Sequence, residues 1–251
     1  MMRRFLAAWR FLTIFPVPDA GASPGDGEAL SRSLPYFPVV GLVLGLISWA
    51  VAGGLGAVLP PMAAAAVLTA VLAVYSGGLH LDGLADSADG LFGTHDRERA
   101  LAIMRDSRIG AFGALALILA LLVKFACLAS MGADMRLAVL LAPIGGRSAM
   151  LVVMALLPYA RSVGLGSIFL ASSKSLSLVS ACFWLVACLL AFQGAADGLI
   201  VLAVWALATG ACALFLKIRL GGATGDGYGA TCEIAETAIL TALAVVCGPG
   251  F

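Results

Sequence analysis

The stretch Ala111-Phe-Gly-Ala-Leu-Ala-Leu-Ile-Leu-Ala-Leu-Leu-Val-Lys-Phe-Ala-Cys-Leu-Ala-Ser-Met131 is uncharged except for Lys124. A helix rises about 1.5 Å per residue, so about 20 such residues match the hydrocarbon core of a bilayer. Reading outward, six further runs approach or meet that length: 38–58, 62–79, 136–157, 176–193, 198–216 and 234–250. The whole chain is 62% hydrophobic and 12% charged, with a mean hydropathy of +1.06. A soluble domain covers itself with more polar surface than this. The expectation is an all-α, polytopic transmembrane helical bundle of about seven spans, with six to eight compatible with the run lengths. It forms a single integral membrane domain over 1–251.

Charge gives an independent orientation. With the N-terminus cytoplasmic, the inner segments are 1–37, 80–110, 158–175 and 217–233, and they hold 12 of the 15 Lys and Arg residues. Arg136 falls outside, and Lys124 and Arg147 lie within spans. This is the asymmetry of the positive-inside rule. The outer loops contain only Asp134 and Asp197 as acids, so the chemistry is expected in cytoplasmic loops near 80–110 and 217–236. A net charge of +1 offers no basic face for nucleic acid. The six cysteines form no CxxC pair and read as small apolar residues in a reducing setting. Residues 1–15 carry Arg3, Arg4 and Arg10 without a cleavage signature, so no cleaved signal peptide is expected.

Two inner segments concentrate glycine and carboxylate. The first runs from Gly77-Gly78 through His80, Asp82-Gly83, Asp86 and Asp89-Gly90, and the second reads Gly221-Gly222-Ala-Thr-Gly-Asp226-Gly227. An internal duplication would explain the shared GG-x3-DG pattern, but two matches this short arise readily by coincidence in a glycine-rich chain, and coincidence is the favoured reading. Asp82, Asp86 and Asp89 stand at i, i+4 and i+7, on one face of a helix. Like charges so placed repel unless a cation joins them, and hard oxygen ligands suit Mg²⁺ or Mn²⁺; the alternative is a solvated acidic face. Asp226, Glu233 and Glu236 form a second acidic group, with the two glutamates at the cytoplasmic entrance of the last span. Carboxylates there are costly unless paired or used, although capping a helix N-terminus could account for one of them.

Between the acidic groups lies Arg105-Asp106-Ser-Arg108-Ile-Gly110. Arginine forks grip phosphate oxygens, and a helix starting at Gly110 would aim its N-terminus at the same place; membrane anchoring is the other reading. Arg147, inside an apolar span, calls for a partner or a wet cavity, whereas Lys124 could snorkel. His80 is a candidate base or a hydrogen-bond partner of the aspartates.

In this order the motifs resemble those of the cobalamin 5′-phosphate synthase, or adenosylcobinamide-GDP ribazoletransferase, family. The resemblance rests on residues 11–18, 36–41, 77–93 and 103–110, Gly146-Arg147 with Met150, 159–161 with 164–166, and 221–236, so it spans nearly the whole chain. It implies a Mg²⁺-dependent transferase that joins adenosylcobinamide-GDP to α-ribazole or its 5′-phosphate and releases GMP. It also implies the bacterial or archaeal cytoplasmic (inner) membrane as location. Asp82, Asp86 and Asp89 then become the first metal ligands, with Asp226, Glu233 and Glu236 as a second metal site or as ribazole-orienting groups. Arg105, Arg108, Arg147 and Arg161 become phosphate-binding residues, and His80 or Asp106 the proton acceptor, beside Asp82 and Asp86 as catalytic carboxylates. A groove shared by a homo-oligomer is one way to seat a corrinoid.

Two rivals share part of this chemistry. A CDP-alcohol phosphotransferase would carry DGxxAR-x8-GxxxDxxxD, and here Gly83-Leu-Ala85 is followed by Asp86 instead. A cation-coupled transporter would hold its acids near the bilayer midplane.

Overall fold

The structure is a computed structural model that describes residues 1–17, 27–161, 178–179, 181–182, 186 and 195–247. Most of the expected span at 176–193, and the residues 164–166, lie outside the described residues. In chain order come α1 (Met2–Leu12), α2 (Gly27–Ser31), a 3₁₀ turn (Leu34–Tyr36), α3 (Phe37–Val58), α4 (Pro61–Val74) and α5 (Leu79–Gly93). Then follow α6 (Arg97–Ile103), α7 (Ala111–Ser130), a 3₁₀ turn (Gly132–Asp134), α8 (Met135–Leu156), α9 (Ala195–Leu220) and α10 (Gly225–Cys247). Among the described residues there is no sheet, only a parallel pairing of Tyr159 with Ala223. The protein is a polytopic helical membrane bundle.

Five helices, α3, α7, α8, α9 and α10, are long and apolar enough to cross a membrane, and α4 with α5 makes a sixth if that bent pair counts as one span. The expected span at 62–79 is interrupted by a bend before its end. α4 stops at Val74 after 14 residues, about 21 Å of rise, which is short of a bilayer core. Gly77 and Gly78 then adopt positive φ of 62° and 80°, and α5 leaves at 82° to α4. That left-handed pair is open to glycine and strained for other residues, so it converts an apolar run into a corner. The expected loop at 80–110 is consequently mostly helix, α5 and α6.

α8 is the central element and is mostly buried, whereas α7 is mostly exposed along its length. It packs on α3 at two glycines. A side chain at Gly41 would run into the backbone of Pro143 and Ile144, and one at Gly45 into Leu140. Close backbone approach of this kind is how helices associate in lipid, where burial of apolar surface supplies little. α9 joins through Trp205, whose indole N–H donates to the Gly145 carbonyl at 2.9 Å.

One end of the bundle is stitched by polar contacts. The Ile14 amide donates to the Tyr75 carbonyl at 2.9 Å, fixing the chain after α1 against the α4–α5 corner. Arg97 donates to the carbonyls of Leu220 at 2.7 Å and Ala160 at 2.9 Å, and Arg219 donates to that of Thr94. These bonds satisfy orphan carbonyls at the end of α9 and tie α6, α9 and residues 158–161 into one platform.

Candidate active site

α5 and α10 cross at glycine. A Cβ on Gly83 would meet the Asp226 carbonyl oxygen at 2.8 Å, and one on Gly229 the His80 Cα at 3.2 Å. The crossing brings the Asp-Gly pair of each glycine-rich segment together, which the chain order alone does not reveal. Asp82 is exposed, and Asp86 and Asp226 are half-buried. Asp86 feels Asp82, Asp226 and Asp89 as like charges and Arg161 as an opposite one. Arg161 forms an ion pair with Asp226 at 2.9 Å and reaches the Met104 carbonyl at 3.5 Å.

Asp89 shares the face expected of it, yet its carboxylate has a different engagement. It accepts the Gly110 amide at 2.7 Å and the Gly113 amide at 2.9 Å, capping α7 from another helix. Side chains at either glycine would collide with that carboxylate. The helix N-terminus proposed from Gly110 as a phosphate cradle is thus already filled by Asp89.

Arg108 turns back on Asp106 in a bidentate pair, with contacts between 2.6 and 3.1 Å, and Arg105 is exposed. Those side-chain hydrogen bonds, followed by a backbone one, hold the Asp106 carboxyl at about 2. A base that weak is poorly matched to proton transfer near neutrality. Asp106→Asn is therefore expected to leave the acid limb of the pH–rate profile in place. Loss of that limb would restore Asp106 as the proton acceptor.

The glutamates are the largest departure from expectation. α10 begins at Gly225, nine residues before the expected start of the last span, so Glu233 and Glu236 lie two and three turns inside it rather than at its entrance. Their exposures are 3% and 2%. Lys124 of α7 donates to Glu233 Oε2 and Glu236 Oε2, both at 2.7 Å, and Arg147 of α8 donates to Glu236 Oε1. Two cations and two anions make a closed neutral group, the form in which charge is tolerated at depth. Gly146 makes the room: a side chain there would meet Glu236 Cγ at 2.7 Å and Cys232 Sγ at 2.8 Å. His80, 1% exposed, faces the same group, with Arg147, Glu236 and Lys124 as its charged neighbours. Arg147 and His80 are accordingly enclosed rather than presented to a ligand, and Lys124 is a buried partner rather than a snorkelling one.

A profile described as cobalamin-5-phosphate synthase matches residues 4–244. The chain belongs to the cobalamin-5-phosphate synthase family. Among its relatives, a protein of Roseiflexus sp. (strain RS-1) is 44% identical over 94% of this chain and 87% of its own length. One of Geotalea daltonii is 37% identical over 99% of both chains, and one of Syntrophobacter fumaroxidans is 41% identical over 97% and 99%. All three are named adenosylcobinamide-GDP ribazoletransferase. No solved structure matches the chain. As a member of the cobalamin-5-phosphate synthase family the protein is a transferase of cobalamin biosynthesis, and the resemblance read from the motifs is borne out.

The site can be tested for a divalent metal by its donors. Among the described residues no group of three or more His, Cys, Asp or Glu side chains stands close enough together to hold a metal ion by itself. Mg²⁺ does not require one: it keeps several waters and is held by one or two carboxylates together with substrate phosphates. Asp82, Asp86 and Asp226, mutually repelling and gathered at one crossing, fit that mode, and Asp226 Oδ2 is buried with no aligned hydrogen bond. Glu233 and Glu236 fit it less well, because their oxygens are taken by Lys124 and Arg147.

Proposed function

We propose that this protein joins adenosylcobinamide-GDP to α-ribazole, or to its 5′-phosphate, with release of GMP, and that Mg²⁺ is required. The observation that carries the reading is the meeting of Asp82 and Asp86 on α5 with Asp226 on α10, beside Arg161. The names of the relatives supply the substrates, and the three carboxylates supply the reason for a metal. Bound there, Mg²⁺ would neutralise charge on a diphosphate and its leaving group.

The chain's own residues have distinct tasks. Asp82, Asp86 and Asp226 form the acidic rim that holds the cation and with it the diphosphate. Arg161 binds a phosphate oxygen, and Arg105, exposed on the loop before α7, covers the departing GMP. A ribose hydroxyl oxygen of the ribazole bonds to the phosphorus carrying the corrinoid, the bridging P–O bond breaks, and GMP leaves with that oxygen. The hydroxyl proton passes to a carboxylate of the rim. Asp89 positions α7 and Arg105 through its two amide contacts, and the buried glutamates lock α10 against α7 and α8.

We assign the platform to the cytoplasmic side of the inner membrane, since the Lys and Arg residues gather in the segments at that end. The transporter reading loses ground for a structural reason. The deep glutamates are neutralised by Lys124 and Arg147, whereas ion coupling needs carboxylates that can release their partner. Purified protein given adenosylcobinamide-GDP, α-ribazole and Mg²⁺ should yield GMP and the lower-ligand corrinoid in equal amounts, and EDTA should stop both. Neither product from folded, metal-supplied protein would refute the assignment.

A further inference from the structure

We infer that Arg161 occupies the metal's electrostatic place in the free enzyme and transfers to the diphosphate when cation and substrate bind together. The inference rests on the metal-site reading above and adds an order of events to it. Arg161 meets Asp226 by charge more than by directed bonding, while Thr224 gives the same carboxylate a hydrogen bond. Arg161 Nη2 stands 2.9 Å from its Oδ2, yet that buried oxygen accepts no well-aligned hydrogen bond.

The guanidinium is underused on its own side. Its Nε is buried without a hydrogen-bond partner, and its other contact is the long one to Met104. An arginine has five N–H donors in a planar fork, and a phosphate adds acceptors beyond the one Asp226 oxygen and the one Met104 carbonyl that the fork meets here. The arrangement is also built to stay in register while the side chain swings. The Ala160 amide donates to the Ala223 carbonyl at 2.8 Å and the Ala223 amide to the Pro158 carbonyl at 2.9 Å, pinning the backbone that carries Arg161 to the start of α10.

Among the described residues Arg161 is the cation ion-paired with this cluster of three carboxylates. A divalent ion arriving alone must compete with it for Asp226. A diphosphate removes that competition by drawing the guanidinium to itself, so metal and diphosphate each raise the other's affinity, as linkage requires.

The test measures protein-bound Mn²⁺ by equilibrium dialysis on the detergent-purified full chain, with and without GDP as the diphosphate probe. In wild type, GDP should tighten Mn²⁺ binding about tenfold, and Arg161→Gln should tighten it by a similar factor without GDP while losing most of the GDP effect. Arg161→Lys, which keeps the charge but not the fork, should bind Mn²⁺ alone as wild type does and keep only part of the GDP effect, and its wild-type Mn²⁺ binding reports that the fold tolerates change there. The inference is overturned if Arg161→Gln binds Mn²⁺ no more tightly than wild type while Asp82→Asn abolishes binding. If Asp82→Asn binds Mn²⁺ as wild type does in the presence of GDP, the metal-site reading fails and the inference fails with it.

Discussion

Asp86→Asn is expected to reduce turnover by about 10³-fold or more, the scale on which a metal's contribution to phosphoryl transfer is lost, while the protein remains as stable or becomes more so. The two effects have one origin. Asp86 is half-buried among Asp82, Asp89 and Asp226, and like charges at a low-dielectric crossing oppose folding. Asparagine keeps the shape and removes the repulsion. A structural aspartate would show the opposite signature, losing stability and activity together. Thermal unfolding in detergent beside single-turnover rates reads both, and a clear fall in Tm with activity retained would remove Asp86 from the site.

Lys124→Met should have the largest effect on the fold. Lys124 is 2% exposed and its ammonium neutralises Glu233 and Glu236 at once, so its removal strands a carboxylate charge inside the bundle. Breaking a buried pair from one side costs about 3–5 kcal/mol. Adding Glu233→Gln to the same chain restores neutrality, since Arg147 still serves Glu236. The double variant should regain most of the lost stability, followed as the monodisperse fraction on heating. If the single variant unfolds at the wild-type temperature, the buried network contributes nothing and the account of α10 is wrong.

These two predictions divide the molecule as sequence reading divides it. Membrane spans were legible because hydrocarbon leaves few options: a run such as 111–131 is a helix wherever it crosses lipid. The corner after Val74 was less legible, since Leu79 continues an apolar run and the break depends on two glycines taking positive φ. The acidic faces of α5 and α10 could be named from spacing, but their meeting at Gly83 and Asp226 depends on a helix crossing between residues far apart in sequence.

Pairing was the part hidden from sequence. Glu233 and Glu236 looked like an entrance to a span because unpaired acids belong at a surface. Lys124 and Arg147, more than 80 residues away in each case, cancel that cost and let the helix start at Gly225. The signal existed in two intramembrane cations and two carboxylates on apolar helices, and an accounting of charge within spans would have matched them. Asp89 shows the converse: three aspartates on one face read alike, and the third is spent on the amides of Gly110 and Gly113.

The most direct test of the carboxylate site as a metal centre is a change of ligand softness at Asp82, the exposed member of the cluster. Asp82→Cys should be inactive with Mg²⁺, which binds thiolate poorly, and regain turnover with Mn²⁺ or Cd²⁺, while wild type shows no such preference for the softer ions. Full activity of Asp82→Cys in Mg²⁺, or no recovery with either ion in folded protein, would contradict the claim that Asp82 holds the cation on which transfer depends.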